Sequence, residues 1–225
     1  MDGKIGYLEG LRGIAALSVV VHHYFCAFYP ALIFGSIAAV HLTSLEPALA
    51  ASPVSAVLNG AFAVSIFFVL SGYVLPHRYF RTQDRESLSS SATRRYIRLA
   101  VPILFTSLIV FVLMSQNFYF NVPASTVTRS GWLMNQTQFT PGLTDVIEQS
   151  LWGSLTLGQG SYNTVLLTMT IEFLGSFLVL SFAALFGNLK NRWVFYLVAG
   201  AVFLNTYYLA FIAGMFLCDL TISDA

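Results

Sequence analysis

Long apolar runs separated by polar segments organise this chain. Five of them, about residues 11–34, 57–76, 99–115, 164–186 and 193–217, are apolar nearly throughout. Their lengths sit at or near the roughly 17–25 residues that carry an α-helix across ~30 Å of hydrocarbon. A backbone that faces lipid must satisfy its hydrogen bonds internally, and that selects helices. The pattern therefore predicts an all-α, polytopic transmembrane bundle of five to six helices in a single domain over residues 1–225. The count turns on the last run, which is long enough for one tilted helix or for a helix broken at Gly200, Asn205 or Gly214. No internal repeat or heptad pattern accompanies these runs.

The segments between the runs differ in charge. Residues 35–56 contain no Lys or Arg, and residues 116–163 contain only Arg129. Residues 77–98, by contrast, hold Arg78, Arg81, Arg85, Arg94, Arg95 and Arg98, and Lys190 and Arg192 follow the fourth run. The stretch Ser87–Ser91 reads as a short solvated loop. Lys and Arg are retained on the cytoplasmic side. A cytoplasmic N-terminus puts Lys4, Arg12, the six arginines, Lys190 and Arg192 on that side, ten of the eleven basic residues. Trp152 and Trp193 lie near run edges, where aromatic rings favour the headgroup layer. Lys4, Arg12 and the run after Gly13 also have the outline of a signal peptide. The run is long, is interrupted by His22 and His23, and lacks a small-residue cleavage site, so a retained helix is the better reading.

Composition agrees with the membrane assignment. The chain is 56% hydrophobic and 9% charged, against about 25% charged in a soluble domain. A net charge of +1 and the lack of a basic tail offer nothing to nucleic acid. Cys26 and Cys218 both sit in apolar runs, and without a Cys-x-x-Cys they suggest neither a disulfide framework nor a metal site.

Ionisable residues inside such runs are candidates for chemistry, because each costs roughly 2.5 kcal/mol or more at a helix centre. Arg12 and His23 are eleven residues apart in the first run. At about 100° per residue they share one helix face, ~16 Å apart along the axis. Histidine is the natural general base near neutral pH, and His22 points about 100° away from it. Glu172, the one carboxylate of the fourth run, stands with Thr168 and Ser176 at i, i+4 and i+8 beside Gly175. A carboxylate there must be paired or protonated, and it suits orienting or charging a catalytic histidine. Arg94, Arg95 and Arg98 would gather on one side of a helical loop end, where guanidinium forks suit phosphate oxygens. Ser71-Gly72, in the run Phe67–Tyr73, suits close helix packing.

Plainer roles stay open. Arg12 can snorkel to headgroups and His23 can hydrogen-bond a neighbouring helix. Glu172 can simply hold the bundle, and the arginines can meet lipid phosphates. From another functional class, His23 and Glu172 could form the proton relay of a transporter half. A remnant without activity, packing only against partners, is the third alternative.

Several motifs, in order, resemble one family. YLEGLRGIAALSVVVHH resembles the opening helix of the membrane acyltransferase 3 family, with an arginine, ten residues and a histidine. FFVLSGYVL followed by RRYIRLAVP is similar to its second-helix and loop motif, LLTMTIEFLGSFLV to its segment with a near glutamate, and FIAGMFLCDL to a later Phe-x-x-Gly-Met signature. The resemblance implies an enzyme that moves an acyl group, usually acetyl, from cytoplasmic acyl-coenzyme A. The acceptor it implies is a hydroxyl of a surface glycan, a lipid-linked sugar or a secreted small molecule. It further implies Arg12 and His23 as the essential pair, Glu172 as support, and Arg94, Arg95 and Arg98 as part of the cytoplasmic signature, whose guanidinium forks are shaped to grip the coenzyme A phosphates. No metal is implied, and the bacterial inner membrane is the expected location. Leu167 stands where the family commonly has tryptophan. Family members are also longer and have more helices, so a C-terminally incomplete portion is expected.

Overall fold

The computed structural model describes residues 6–223, and every regular element among them is helical. Lys4, counted above on the cytoplasmic side, lies outside the described residues. The helices are α1 (Gly6–Phe28), α2 (Ala31–Phe34), α3 (Leu45–Ala50), α4 (Gly60–Thr82), α5 (Arg85–Ser115) and α6 (Asn121–Thr128). They continue with α7 (Gly131–Met134), α8 (Leu143–Glu148), α9 (Ser154–Thr156), α10 (Leu167–Phe186), α11 (Arg192–Val202) and α12 (Tyr208–Ser223). A π-helical stretch, Gln149–Gly153, joins α8 to α9, and a 3-10 turn, Thr164–Leu166, leads into α10. Four helices are long and apolar enough to cross a membrane: α1, α4, α5 and the stretch Thr164–Phe186.

Three boundaries differ from the expectation. The first run is α1 followed, after Tyr29 and Pro30, by the short α2, since Pro30 has no backbone N–H to continue the ladder. Residues 85–98 are not a loop. They are the N-terminal half of α5, so Ser87–Ser91 is helical, and Ser87 and Leu88 are buried. Asp84 caps this helix, its Oδ1 accepting from the Glu86 N–H at 2.9 Å. Ser91 Oγ bonds back to the Ser87 carbonyl at 2.7 Å, which is how a serine tract can stay helical. The last run is broken. Phe203–Tyr207 interrupts it, with Asn205 at φ 66°, while Gly200 and Gly214 remain inside helices. The 11 and 16 residues of α11 and α12 give roughly 16 and 24 Å, each short of a full crossing.

The chain divides into two compact units. One comprises Met1–Val64, Ile109–Gly142 and Ser161–Asn163. In it the α6–α7 segment is fastened to α1, with Ser130 Oγ donating to the Cys26 carbonyl at 2.6 Å. Glu46 ties down its own loop by accepting the N–H groups of His41, Leu42 and Thr43. Burial works to raise the Glu46 carboxyl, but those donors outweigh it and hold the group below the usual carboxylate range.

The other unit comprises Ser65–Leu108, Leu143–Gly160 and Thr164–Ala225. Its apolar core joins α5, α9 and the 3-10 turn before α10 through Ala100, Ile103, Leu155 and Leu166, with Met169 and Phe173 of α10 packed against it. Helices α4 and α12 run in the same direction, because Phe68 meets Tyr207 and Phe211 while Tyr73 reaches Thr221. They touch backbone to backbone: a Cβ on Gly72 would lie 2.2 Å from the Phe211 carbonyl oxygen, and one on Gly214 would lie 2.0 Å from that of Val69.

Candidate functional site

Because α1 is unbroken from Gly6 to Phe28, Arg12 and His23 do share one face, ~16 Å apart along it. Both are partly buried. Toward the N-terminus Arg12 meets Glu9 at 3.2 Å, one turn away. An exposed pair of this kind is worth ~1 kcal/mol or less, so Glu9 holds the guanidinium only loosely.

The two histidines have different hydrogen bonds. His22 Nδ1 lies 2.7 Å from the Leu58 carbonyl, and its Nε2 meets Cys26 Sγ at 3.5 Å. A carbonyl can only accept, so Nδ1 carries the proton and Nε2 takes the thiol hydrogen. Gly60 packs directly on this ring, where a Cβ would come within 2.5 Å of Cδ2. Both nitrogens of His22 are thus committed to structure. His23 Nδ1 lies 2.8 Å from the Val19 carbonyl, one turn back on the same helix. The same reasoning protonates Nδ1 and leaves the Nε2 lone pair without a bond to the described residues. Trp132 covers the ring, with centroids 5.7 Å apart. An oriented imidazole with an open Nε2 has the geometry to remove a proton.

In the other unit, Glu172 of α10 closes a polar cluster with α4 and α5. Its Oε1 forms an ion pair with Arg95 Nη2 and accepts Ser71 Oγ at 2.6 Å. Arg95 also donates to Ser176 Oγ at 2.8 Å and to Ser71 Oγ at 3.3 Å. The Arg95 and Glu172 side chains are only 10% and 12% exposed. In that setting each charge is tolerable only because the other is present. Glu172 Oε2 is buried without a hydrogen-bond partner among the described residues.

The expectation that Arg94, Arg95 and Arg98 gather on one side is corrected here. Arg95 turns into the bundle to meet Glu172, while Arg94 and Arg98 are exposed on α5. Ser71, read from sequence as a packing residue, belongs to the Glu172 cluster as well. Its partner is 101 residues away in sequence, and no local pattern signals such a bond. A second cluster joins residues 27 positions apart in sequence, with no local pattern to signal it. Arg192 forks onto the Asp219 carboxylate at 2.6 and 2.7 Å, and Tyr196 donates to the same group at 3.2 Å. It clamps the start of α11 to the end of α12.

Membership follows from comparison with known proteins. Residues 5–222 match the acyltransferase domain of the acyltransferase 3 type. The chain belongs to this family. Among its relatives, the O-acetyltransferase PaAT-1 of Phomopsis amygdali is 27% identical over 260 aligned positions. That alignment takes in 95% of this chain and 48% of PaAT-1, so the chain spans about half the length of this curated relative. No solved structure matches. For this acyltransferase-domain chain, Arg12, His23 and Glu172 all fall inside the matched region, as do the three arginines of α5.

Proposed function

We propose that this chain carries the transfer centre of an integral membrane O-acyltransferase, acting as one acyltransferase domain. It would move an acyl group, acetyl above others, from cytoplasmic acyl-coenzyme A to a hydroxyl of a surface glycan, lipid-linked sugar or secreted small molecule. The observation that carries the reading is His23, whose Nδ1 is held by the Val19 carbonyl so that Nε2 is open. Nε2 takes the proton of the acceptor hydroxyl as its oxygen attacks the thioester carbonyl. The C–S bond then breaks, and the imidazolium returns the proton to the departing thiolate. No acyl-enzyme is needed.

The other residues have supporting parts. Arg12, loosely held by Glu9, can hold an anionic part of the donor. Arg94 and Arg98 are exposed and suit the coenzyme A phosphates, whereas Arg95 positions Glu172 and the helices around it. The excess of arginine in the α4–α5 region favours a cytoplasmic N-terminus, and the family resemblance favours the bacterial inner membrane. Family membership also favours acyl transfer over a proton-relay transporter.

Mass spectrometry of the host's surface glycans and secreted metabolites tests the reading, with the intact gene set against His23→Ala and His22→Ala. His23→Ala should abolish one O-acyl product while protein persists in the membrane, a loss of about 10²-fold or more in rate. His22→Ala should lower the amount of folded protein and leave activity per folded molecule. Equal products from all three would sink the assignment of His23.

A further inference from the structure

A second feature of the His23-bearing unit has chemistry of its own. Beyond the end of α5 lies a cleft of about 320 Å³, toward the lower end of the ~300–1,000 Å³ that small-molecule sites span. Asn117, Tyr119, Asn121, Thr137, Phe139 and Thr140 line it, and among the described residues none of its lining is Lys, Arg, His, Asp or Glu. Amides and hydroxyls both donate and accept, which matches a ligand rich in hydroxyls. A phosphate or carboxylate would find no countercharge there, and an acyl chain would face polar walls. Tyr119 and Phe139 add flat apolar faces for C–H groups. Neutral donors and acceptors beside aromatic faces are what a sugar ring requires.

The cleft is also held in shape. Phe139 packs edge-on against Tyr162, with centroids 4.9 Å apart and planes at 90°. Tyr162 is buried, and its hydroxyl both donates to the Gly142 carbonyl at 3.0 Å and accepts the Gly142 N–H at 2.9 Å. Asn121 Nδ2 donates to the Gln136 carbonyl at 2.6 Å and to that of Leu133 at 3.3 Å. Asn117 and Thr137 adopt φ of 57° and 49°. That conformation is unusual for a β-branched threonine and persists only where the surroundings impose it.

One short stretch of chain ties this cleft to His23. Ser130 is bonded to the Cys26 carbonyl on α1, Trp132 covers His23, and Thr137 lines the cleft. We propose that the cleft is the docking subsite for a neutral sugar of the acceptor. The word acceptor rests on the acyl-transfer reading above, while the sugar rests on the lining residues.

The test uses the purified full chain in lipid nanodiscs without any acyl donor. Saturation-transfer NMR is recorded with maltotriose and chitotriose, and with sialyllactose as a charged control. The neutral sugars should show transfer and the control should not. Tyr119→Phe and Thr140→Val each remove one hydroxyl and should weaken binding roughly fivefold, and Tyr119→Ala should abolish it. Thr140 is exposed, so Thr140→Val keeps the proposal testable should Tyr119→Ala fail to fold. No transfer from either neutral sugar, or transfer unchanged in Thr140→Val and Tyr119→Ala, overturns the subsite. Acetyl-coenzyme A cleavage, followed on the same samples, separates the two claims. Turnover without sugar binding removes the cleft and leaves acyl transfer. Sugar binding without His23-dependent turnover upholds a sugar site and removes its acceptor role.

Discussion

A buried guanidinium and a buried carboxylate share one hydrogen-bonded cluster, in which each offsets the other's charge. Arg95 and Glu172 are 10% and 12% exposed, so removing either takes the ion-pair partner from a charge held in the bundle. Breaking such a pair costs about 3–5 kcal/mol, whereas replacing both partners by apolar residues is often close to neutral. Arg95→Met and Glu172→Leu should therefore each lower the thermal midpoint in detergent sharply, and the double variant should recover most of the loss. A double variant as unstable as the sum of the two would show that the charges act independently. The same logic separates the histidines. His22 has structural partners on both nitrogens and His23 on one, so of the two only His23 keeps a ring nitrogen open for the base role proposed for it.

Between helices, close approach is set by the absence of side chains at two facing positions. Gly72 and Gly214 let α4 and α12 meet at their backbones. Small residues are how membrane helices gain contact where lipid removes the hydrophobic drive. Gly72→Ala and Gly214→Ala should each destabilise the chain by about 1–3 kcal/mol, the usual cost of overpacking. The double variant should cost less than the sum, since one substitution already parts the helices. Gly10 and Gly13 of α1 have nothing within 4 Å of an added Cβ. Alanine there should be neutral or stabilising, by up to about 1 kcal/mol from helix propensity. Helix melting followed by circular dichroism distinguishes the two sets. Sequence and structure agree where apolar length alone decides an element, as in Thr164–Phe186. They part at residues 85–98, where a polar stretch is the extension of a spanning helix beyond its apolar half. They part again at Asn205, whose left-handed backbone splits a run that looked long enough to be single. The site divides in the same way. Arg12, His23 and Glu172 announce themselves because charge is costly in an apolar run. Ser71 and the inward turn of Arg95 do not, because their partners lie on distant segments and a polar residue near a span edge needs no explanation by itself.

Charge asymmetry along the whole chain predicts which membrane face would meet the acyl donor proposed above. Within the second unit, Tyr79 donates to Asn188 at 2.9 Å. That contact brings the end of α4, with Arg78 and Arg81, to the same end of the unit as the α10–α11 turn with Lys190 and Arg192. Arg85 begins α5 immediately after α4, so five basic residues collect at this one end. The retention of Lys and Arg on the inner side predicts the cytoplasm for this end, the compartment of the acyl-coenzyme A proposed as donor. Single-cysteine labelling checks the orientation with little background, because the native Cys26 and Cys218 are 2% and 0% exposed. Ser89→Cys on α5 and Asn191→Cys before α11 should react with a membrane-impermeant maleimide only after the cells are permeabilised. Val127→Cys on α6, which lies in a segment whose only basic residue is Arg129, should react on intact cells. The reverse pattern would place Arg94 and Arg98 on the side without coenzyme A. The donor would then have to be a different thioester or an activated lipid, and the phosphate grip assigned to α5 would fail with the topology that supports it.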